Sequence, residues 1–462
     1  MADLFASLSS ATRALEAQRF ALDATGQNIA NVNTPGYTRR TVDFAAVPPE
    51  SRFSAGRGVE VAGIRAQRDR LIERRLEQET TAAHREAAVA DALVGVEVTL
   101  GPAGHAIDTR LTEFFDSFAR LADSPMSPVA RQEVALQGQS IAGAFRDTSE
   151  RFRQARRDTN LQLDATLDDI NELAARIAAI NGTIGAAGRG TAGLHFDDQQ
   201  TELVRELSTL TEIRVLQREG GGVDIDIADG RALVVGGTNY SLVGTATGPD
   251  GMTQVSLNGT DITSEITGGK AGGLLHVRDL HIPGYQARLD EQAYALAEAV
   301  NTIHAAGFDL NGNTGQDFFA FSAVLAGPAG AASALVVDPA LAADTSRIAA
   351  GSVALPADNR TARALADVRD ARVLDGGTAT LGDGWSQLVY RVGRDVQTAR
   401  SESTMRNEIV LQVETLRDQV SGVSLDEEAM HLMKFQRAYE ANARFFRVVD
   451  QTLDTLLNAL VR

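Results

Sequence analysis

The segment LDEEAMHLMKFQRAYEANARFFRVVDQTLDTLLNAL, residues 425–460, carries Leu425, Leu432, Tyr439, Phe446, Leu453 and Leu460 at an unbroken spacing of seven. Phe435, Val449 and Leu456 follow three positions after members of that row. A seven-residue apolar repeat makes a narrow stripe that stays aligned only where a helix coils around a partner. The other end of the chain repeats the pattern with Leu8, Leu15, Leu22 and Ile29, and Leu4, Ala11 and Ala14 widen the same side. A helix packed on the core of its own domain would also carry such a stripe. Position favours the first reading, because chain ends fray unless something ties them down. The simplest solution is a helical hairpin closed across the whole sequence, head against tail. A helix over 425–460 is on the order of 50 Å long at about 1.5 Å per residue. So thin a pair leaves apolar surface for neighbouring copies. Residues 425–462 hold six acidic and five basic side chains, so like subunits can pack without strong repulsion.

Between these ends lie enough residues for two to four domains, since the chain has 462 in all and single cores stop growing well below that size. Apolar residues make up 44%, which is globular, while the 5% of aromatics suits narrow helical seams better than one deep core. The net charge of −17 argues against non-specific nucleic-acid binding and against an anionic membrane surface. Lysine occurs only at Lys270 and Lys434, so nearly all of the 44 basic residues are arginine. With no cysteine, neither a disulfide framework nor a thiolate metal site is available. No apolar run is long enough for membrane insertion, and the start Met-Ala-Asp-Leu-Phe lacks the basic and apolar regions of a secretory signal.

Alternation over Val59–Ile64 predicts a short strand, and residues 68–95, with Leu71, Ile72 and Leu76, read as a helix ended by Gly101-Pro102. A further helix over 106–122 uses Ile107, Leu111, Phe115 and Phe118. After Ser127-Pro128, with Pro128 placed as a first-turn proline, one very long helix spans 129–181. Its apolar side chains are Leu161, Leu167, Ile170, Leu173, Ile177 and Ile180, and Gly182 is the expected stop. A late helix over 386–420 carries Leu388, Val392, Val396, Val410, Val413, Leu416 and Val420. Residues 213–266 are glycine-rich, with alternation in Val223-Asp224-Ile225-Asp226-Ile227 and a turn at Asp229-Gly230, and read as β structure. The expected fold class is α+β and multi-domain: terminal helices paired as a coiled coil, a stem of bundled long helices, and small β-rich outer domains. The expected divisions are 1–45 plus 422–462 for the terminal coiled coil and 46–210 plus 386–421 for the stem. They continue with 211–270 for a small β domain and 271–319 for a helical return to the stem, while 320–385, rich in alanine and glycine, is ambiguous, a second small outer segment being one reading.

The first helix runs into Gln27-Asn28-Ile29-Ala30-Asn31-Val32-Asn33-Thr34-Pro35-Gly36-Tyr37-Thr38-Arg39-Arg40. Pro35-Gly36 suits the centre of a type II turn, and the asparagines can take up backbone groups freed as the helix ends. This stretch closely resembles the N-terminal signature of the flagellar rod, hook and hook-associated proteins. Ser421-Gly422-Val423-Ser424-Leu425-Asp426-Glu427-Glu428, continuing through Phe435-Gln436-Arg437-Ala438-Tyr439-Glu440-Ala441-Asn442-Ala443, resembles their C-terminal signature. Gly272-Gly273-Leu274-Leu275-His276-Val277-Arg278-Asp279 is similar to the hook-associated branch of that group. So are Ile282-Pro283-Gly284-Tyr285, Leu289-Asp290, Ala299-Val300-Asn301-Thr302-Ile303-His304 and Gly307-Phe308-Asp309-Leu310-Asn311-Gly312, closed by Phe318-Phe319.

The resemblance implies a structural subunit at the junction of hook and filament, exported by the flagellar type III system after cytoplasmic synthesis and polymerised outside the cell. Its implied partners are copies of itself, hook protein, the second junction protein (hook-associated protein 3), the filament cap protein during assembly, and an export chaperone over about 425–460. The expected assembly surface comprises Leu8, Leu15, Leu22, Asn28, Ile29, Asn31, Asn33, Pro35, Gly36 and Tyr37 at the head. At the tail it comprises Leu425, Leu432, Phe435, Tyr439, Phe446, Val449, Leu453, Leu456 and Leu460. A hook or distal-rod protein is the alternative, and a secreted enzyme on the same helical scaffold a more distant one.

Catalytic and metal chemistry find little support. Asp309, Asn311 and Asn313 begin like a calcium loop, but Thr314 stands where the loop needs glycine and Ala320 where it needs glutamate. Alternation puts Asp224 and Asp226 on the solvated face of a strand, and Asp229 in the turn after it. The histidines are scattered, no phosphate-cradling Gly-Lys loop occurs, and no cofactor is expected.

Overall fold

The structure, a computed structural model, describes residues 2–34, 37–48, 57–100, 107–187, 191–219, 221–247 and 250–460. Its helices, in chain order, are α1 (Ala2–Ala30), α2 (Arg70–Thr99), α3 (Ile107–Asp123), α4 (Pro128–Ala187), α5 (Thr191–Leu210), α6 (Gly269–His276), α7 (Ile282–Ala306), α8 (Ala331–Ala334), α9 (Pro339–Ala343), α10 (Arg360–Asp367), α11 (Leu381–Ser421) and α12 (Leu425–Leu460). The early strands are β1 (Arg40–Ala46), β2 (Val59–Ala66), β3 (Arg214–Gln217), β4 (Val223–Ile227), β5 (Arg231–Val235) and β6 (Thr238–Asn239). The later ones are β7 (Leu242–Thr247), β8 (Met252–Leu257), β9 (Thr260–Asp261), β10 (Phe319–Phe321), β11 (Leu335–Val337), β12 (Arg372–Leu374) and β13 (Ala379–Thr380). Among the described residues every strand pairing is antiparallel. The chain is thus α+β and multi-domain, as its sequence implies, and no described helix is long and apolar enough to cross a membrane.

Contacts divide the chain into two compact units. One comprises Met1–Ala82, Asp169–Ser241 and Arg406–Arg462, the other Ala83–Asp168 and Leu242–Met405. The second unit has the larger core, and aromatic rings fill it. Phe114 lies 5.2 Å from Phe115, 5.3 Å from Phe118, 5.5 Å from Phe318 and 5.4 Å from Phe319, centroid to centroid. Such tilted and edge-on packing suits the ring quadrupoles. Gly138 on α4 makes room for it, because a Cβ there would meet the Phe318 ring at 2.7 Å. Ser127 caps α4 by accepting the Ala130 N–H, with Pro128 in the first turn.

In the first unit the β1–β2 hairpin and both chain-end helices come together, α1 packing along α12 and against the hairpin. Thr81 of α2 donates to Ser208 O of α5 at 2.8 Å, and Glu79 of α2 pairs with Arg75 and with Arg406 of α11.

Three expectations need correction. The long helix does not stop at Gly182 but continues to Ala187. A helical glycine costs only about 1 kcal/mol, and here tertiary bonds hold the next turn. Asn181 donates to Val223 O and Gly236 O, both at 2.7 Å, and accepts from Val223 N and from Gln200. Its side chain Leu161 is exposed, whereas Leu163 is buried in its place. Second, residues 213–266 do not make one β domain. Strands β3–β6 form a four-stranded sheet in the first unit, held by Asn181, while β7–β9 form a three-stranded sheet in the second. Thr253 on β8 bonds Asn160 and Asp164 of α4 instead. Third, residues 320–385 are no outer segment. Ala331, Leu335, Leu341, Ile348 and Leu365 are buried in the same core as Phe114, which covers their apolar surface without a separate domain.

Aspartates 224 and 226 do lie between the buried Val223, Ile225 and Ile227 on β4. Asp309 spends its carboxylate on the backbone N–H groups of Asn311 and Asn313.

Candidate assembly interface

The face that α1 turns inward is made of small side chains. Ala11, Ala17, Ala21 and Ala24 are all buried, spaced three to six apart. Leu8, Leu15, Leu22 and Ile29 lie on the shoulder of that row and stay half-buried. Alanine lets two helix backbones approach closely, so α1 pairs through its alanines and leaves the leucines partly free.

On α12 the inward face carries Glu428, Val449 and Leu453, all buried, with Leu432, Phe435 and Phe446 half-buried. Phe435 meets Phe44 of β1 edge-on at 6.3 Å. Leu425, Tyr439 and Leu456 remain exposed, and for Leu460 only the backbone is described. A second face was missed in the sequence. Met430, Met433, Ala441 and Val448, at helical spacing, are all exposed, with Phe445 beside them. Arg437 and Arg444 sit in the same row, also exposed. One side of α12 is therefore used within the chain, and the other presents methionine, valine and arginine outward.

A polar clasp locks the two chain ends together. Asn28, 1% exposed, is its hub. Its side-chain amide donates to Arg40 O at 2.9 Å and to Glu428 Oε2 at 3.1 Å. Its Oδ1 accepts from Arg40 N and from the Tyr37 hydroxyl, each at 2.9 Å. Burial pushes the Tyr37 hydroxyl up from its ordinary pKa, so it remains a donor. Arg39 spans Glu428 and Glu427, at 2.8 Å to each, while its backbone N–H donates to Ser421 O. Asp198 of α5 bridges Arg40 and Arg68 at 2.7 Å each, and Arg68 also donates to Thr38 and Thr201. Both polar atoms of the Asn28 side chain are paired, and a satisfied buried network is specific as well as stable. Asn31 closes the helix end by donating to Gln27 O and accepting from Thr34, and Asn33 is exposed. Pro35 and Gly36, with the type II turn expected there, lie outside the described residues.

Sequence reasoning named Asn28 and Tyr37 but missed Glu428, Arg39 and Asp198. A signal existed: Glu428 stands three positions after Leu425, where Phe435, Val449 and Leu456 stand after their own row members. A glutamate in an apolar row calls for a cationic partner.

Beside the clasp lies a cleft of about 370 Å³, lined by Asn33, Thr34 and Tyr37, by Glu73 and Glu77 of α2, by Glu202 and Arg205 of α5, and by Arg417, Ser421 and Gly422. Among the described residues no three His, Asp or Glu side chains are grouped to hold a metal ion.

Three family models match the chain. "Flagellar hook-associated protein FlgK helical domain" covers residues 93–319, "Flagella basal body rod protein" 8–38, and "Flagellar basal body rod FlgEFG protein C-terminal" 418–459. The last two fall on α1 with its turn and on α12, the partners in the clasp. Flagellar hook-associated protein 1 of Escherichia coli (strain K12) is 27% identical, over 98% of this chain and 99% of its own length. That of Bacillus subtilis (strain 168) is 28% identical, over 100% and 99%. The solved structure of the flagellar hook junction protein FlgK from Burkholderia pseudomallei shares the fold. Its TM-score is 0.67 at 17% identity, over 75% of this chain and all of that one. With both ends, the helical middle and the full length in agreement, the chain belongs to the flagellar hook-associated protein 1 family, the structural proteins of the bacterial flagellum.

Proposed function

We propose that the chain forms the junction between hook and filament by polymerising through the outward face of its paired terminal helices. The observation that carries this reading is the two-sidedness of α12: its inward face is committed to α1, Phe44 and the clasp, and its outward face is apolar and unoccupied. A monomer that keeps methionine, phenylalanine and valine in water along one helix gains by covering them with like copies. Residues 1–45 with 422–462 would then line the inner wall of a tube, and the rest of the chain would face outward. Hook protein, hook-associated protein 3 and the filament cap would contact the ends of this zone, and an export chaperone would shield 425–460 before secretion. No group in the described residues calls for catalysis in this role.

The test is Val448→Asp and, separately, Met433→Asp. Both side chains are exposed, so each purified monomer should keep its hydrogen-exchange protection while the cells lose filament attachment. Normal filaments on cells carrying either variant would refute the outward-face reading.

A further inference from the structure

The cleft beside the clasp carries two acids that the fold does not use. The carboxylates of Glu73 and Glu77, one turn apart on α2, make no hydrogen bond or ion pair with a described residue. The two arginines in the cleft wall are already engaged: Arg205 by Glu414 and Glu202, and Arg417 by Asp418. A third group is also unsatisfied. The Ser421 hydroxyl lines the cleft, its residue is only 5% exposed, and it has no partner. Buried polar groups without partners are rare, and an orphan hydroxyl beside two free carboxylates marks the place of a missing donor. Burial, and next the charge of Glu73, push the Glu77 carboxyl up to about 7, with Arg74 offsetting part of this. That is the condition of a carboxylate lacking its cation.

The same unit displays cations without acids. Arg437 and Arg444, seven residues apart in the outward row of α12, have no carboxylate partner among the described residues and are exposed. A guanidinium offers several donors in a fixed fork, enough for two carboxylates and a hydroxyl together. We propose that this cleft is a socket for an arginine that α12 of a second copy of the chain presents, Arg437 or Arg444. The inference rests on polymerisation through α12 and adds its register. The apolar row supplies contact area, and one ion pair per copy fixes how far neighbouring helices slide.

The test uses the full-length chain in flagellated cells. Glu77→Gln should cost the monomer none of its hydrogen-exchange protection and reduce junction assembly at least tenfold. Glu77→Arg should abolish assembly, and adding Arg437→Glu or Arg444→Glu to the same chain should restore it. Because the chain has no cysteine, Asn33→Cys at the cleft rim and Ala441→Cys between the two arginines give a clean cross-link. Disulfide-linked dimers should form in oxidised, assembled flagella and not in dilute monomer. Normal assembly of Glu77→Gln, failure of both reversals to rescue Glu77→Arg, or absence of the cross-link in assembled flagella each overturns the socket. If Val448→Asp still blocks assembly in that case, the socket alone fails. If it does not, the outward-face reading fails with it.

Discussion

The ring-packed core of the second unit and the alanine seam of the chain ends solve the same problem in opposite ways. Phe114, Phe115, Phe118, Phe318 and Phe319 are almost fully excluded from water within one chain. On α12, only Val449 and Leu453 of the apolar side chains described are buried, while seven large apolar ones are exposed. The first region completes itself and needs nothing further. The second is held by a polar clasp and small residues, which fix geometry while leaving surface over. A subunit built to join copies needs both, one part stable alone and one part stable only in company.

The largest effect should come from Phe318→Ala. It removes a ring packed against Phe114, Phe118, His304 and Phe319 and should cost about 4 kcal/mol, read as lost hydrogen-exchange protection in α3 and α7. Protection in α1 should barely change, and a uniform loss would erase the contrast between the regions. Next is Glu428→Ala, which leaves Arg39 only the exposed Glu427, strands one donor of Asn28 and should cost about 3 kcal/mol. Limited proteolysis should then cut near 31–48 while residues 107–168 stay intact, and unchanged cleavage would deny the clasp its role.

A smaller effect should follow Ala21→Leu. A larger side chain in the seam should cost about 2 kcal/mol by forcing the helices apart, seen as faster exchange in both α1 and α12. Equal protection would mean that the alanines do not set the spacing.

The smallest effect is a pH dependence. The folded pKa of Glu77, about 7, stands above its ordinary 4.5, so its contribution to stability is fully present below about 4.5 and is lost as pH rises through 7. Parent and Glu77→Gln monomers should have similar urea midpoints near pH 4.5. By pH 8 the variant should lead by on the order of 1 kcal/mol after allowing for solvent screening. No divergence would show that the cleft already neutralises the acid.

Much of this was legible from residue order. Periodicity is local, so Leu432, Phe446 and Leu453 announced a partnered helix, and Pro128, Val59 and the Asp224-Asp226 alternation placed their elements nearly where they lie. Harder to read were choices that depend on distant residues. Glycine at 182 is a stop signal only until Asn181 finds the sheet. The strands between 213 and 266 are alike in sequence, and which sheet each joined depended on Asn181 and Asn160, far away along the chain.

The sequence by itself determined that head and tail are amphipathic helices, because a spacing of seven admits few other readings. It also placed the chain among flagellar axial proteins through its terminal signatures. Only the tertiary structure decided that Asn28 meets Glu428, 400 positions away, that alanines and not leucines form the closest seam, and that Glu73, Glu77 and Ser421 share one cleft. The physical reason is that local spacing fixes which side a residue takes on its own helix. Which other side it meets is settled only when all the surfaces compete to be buried.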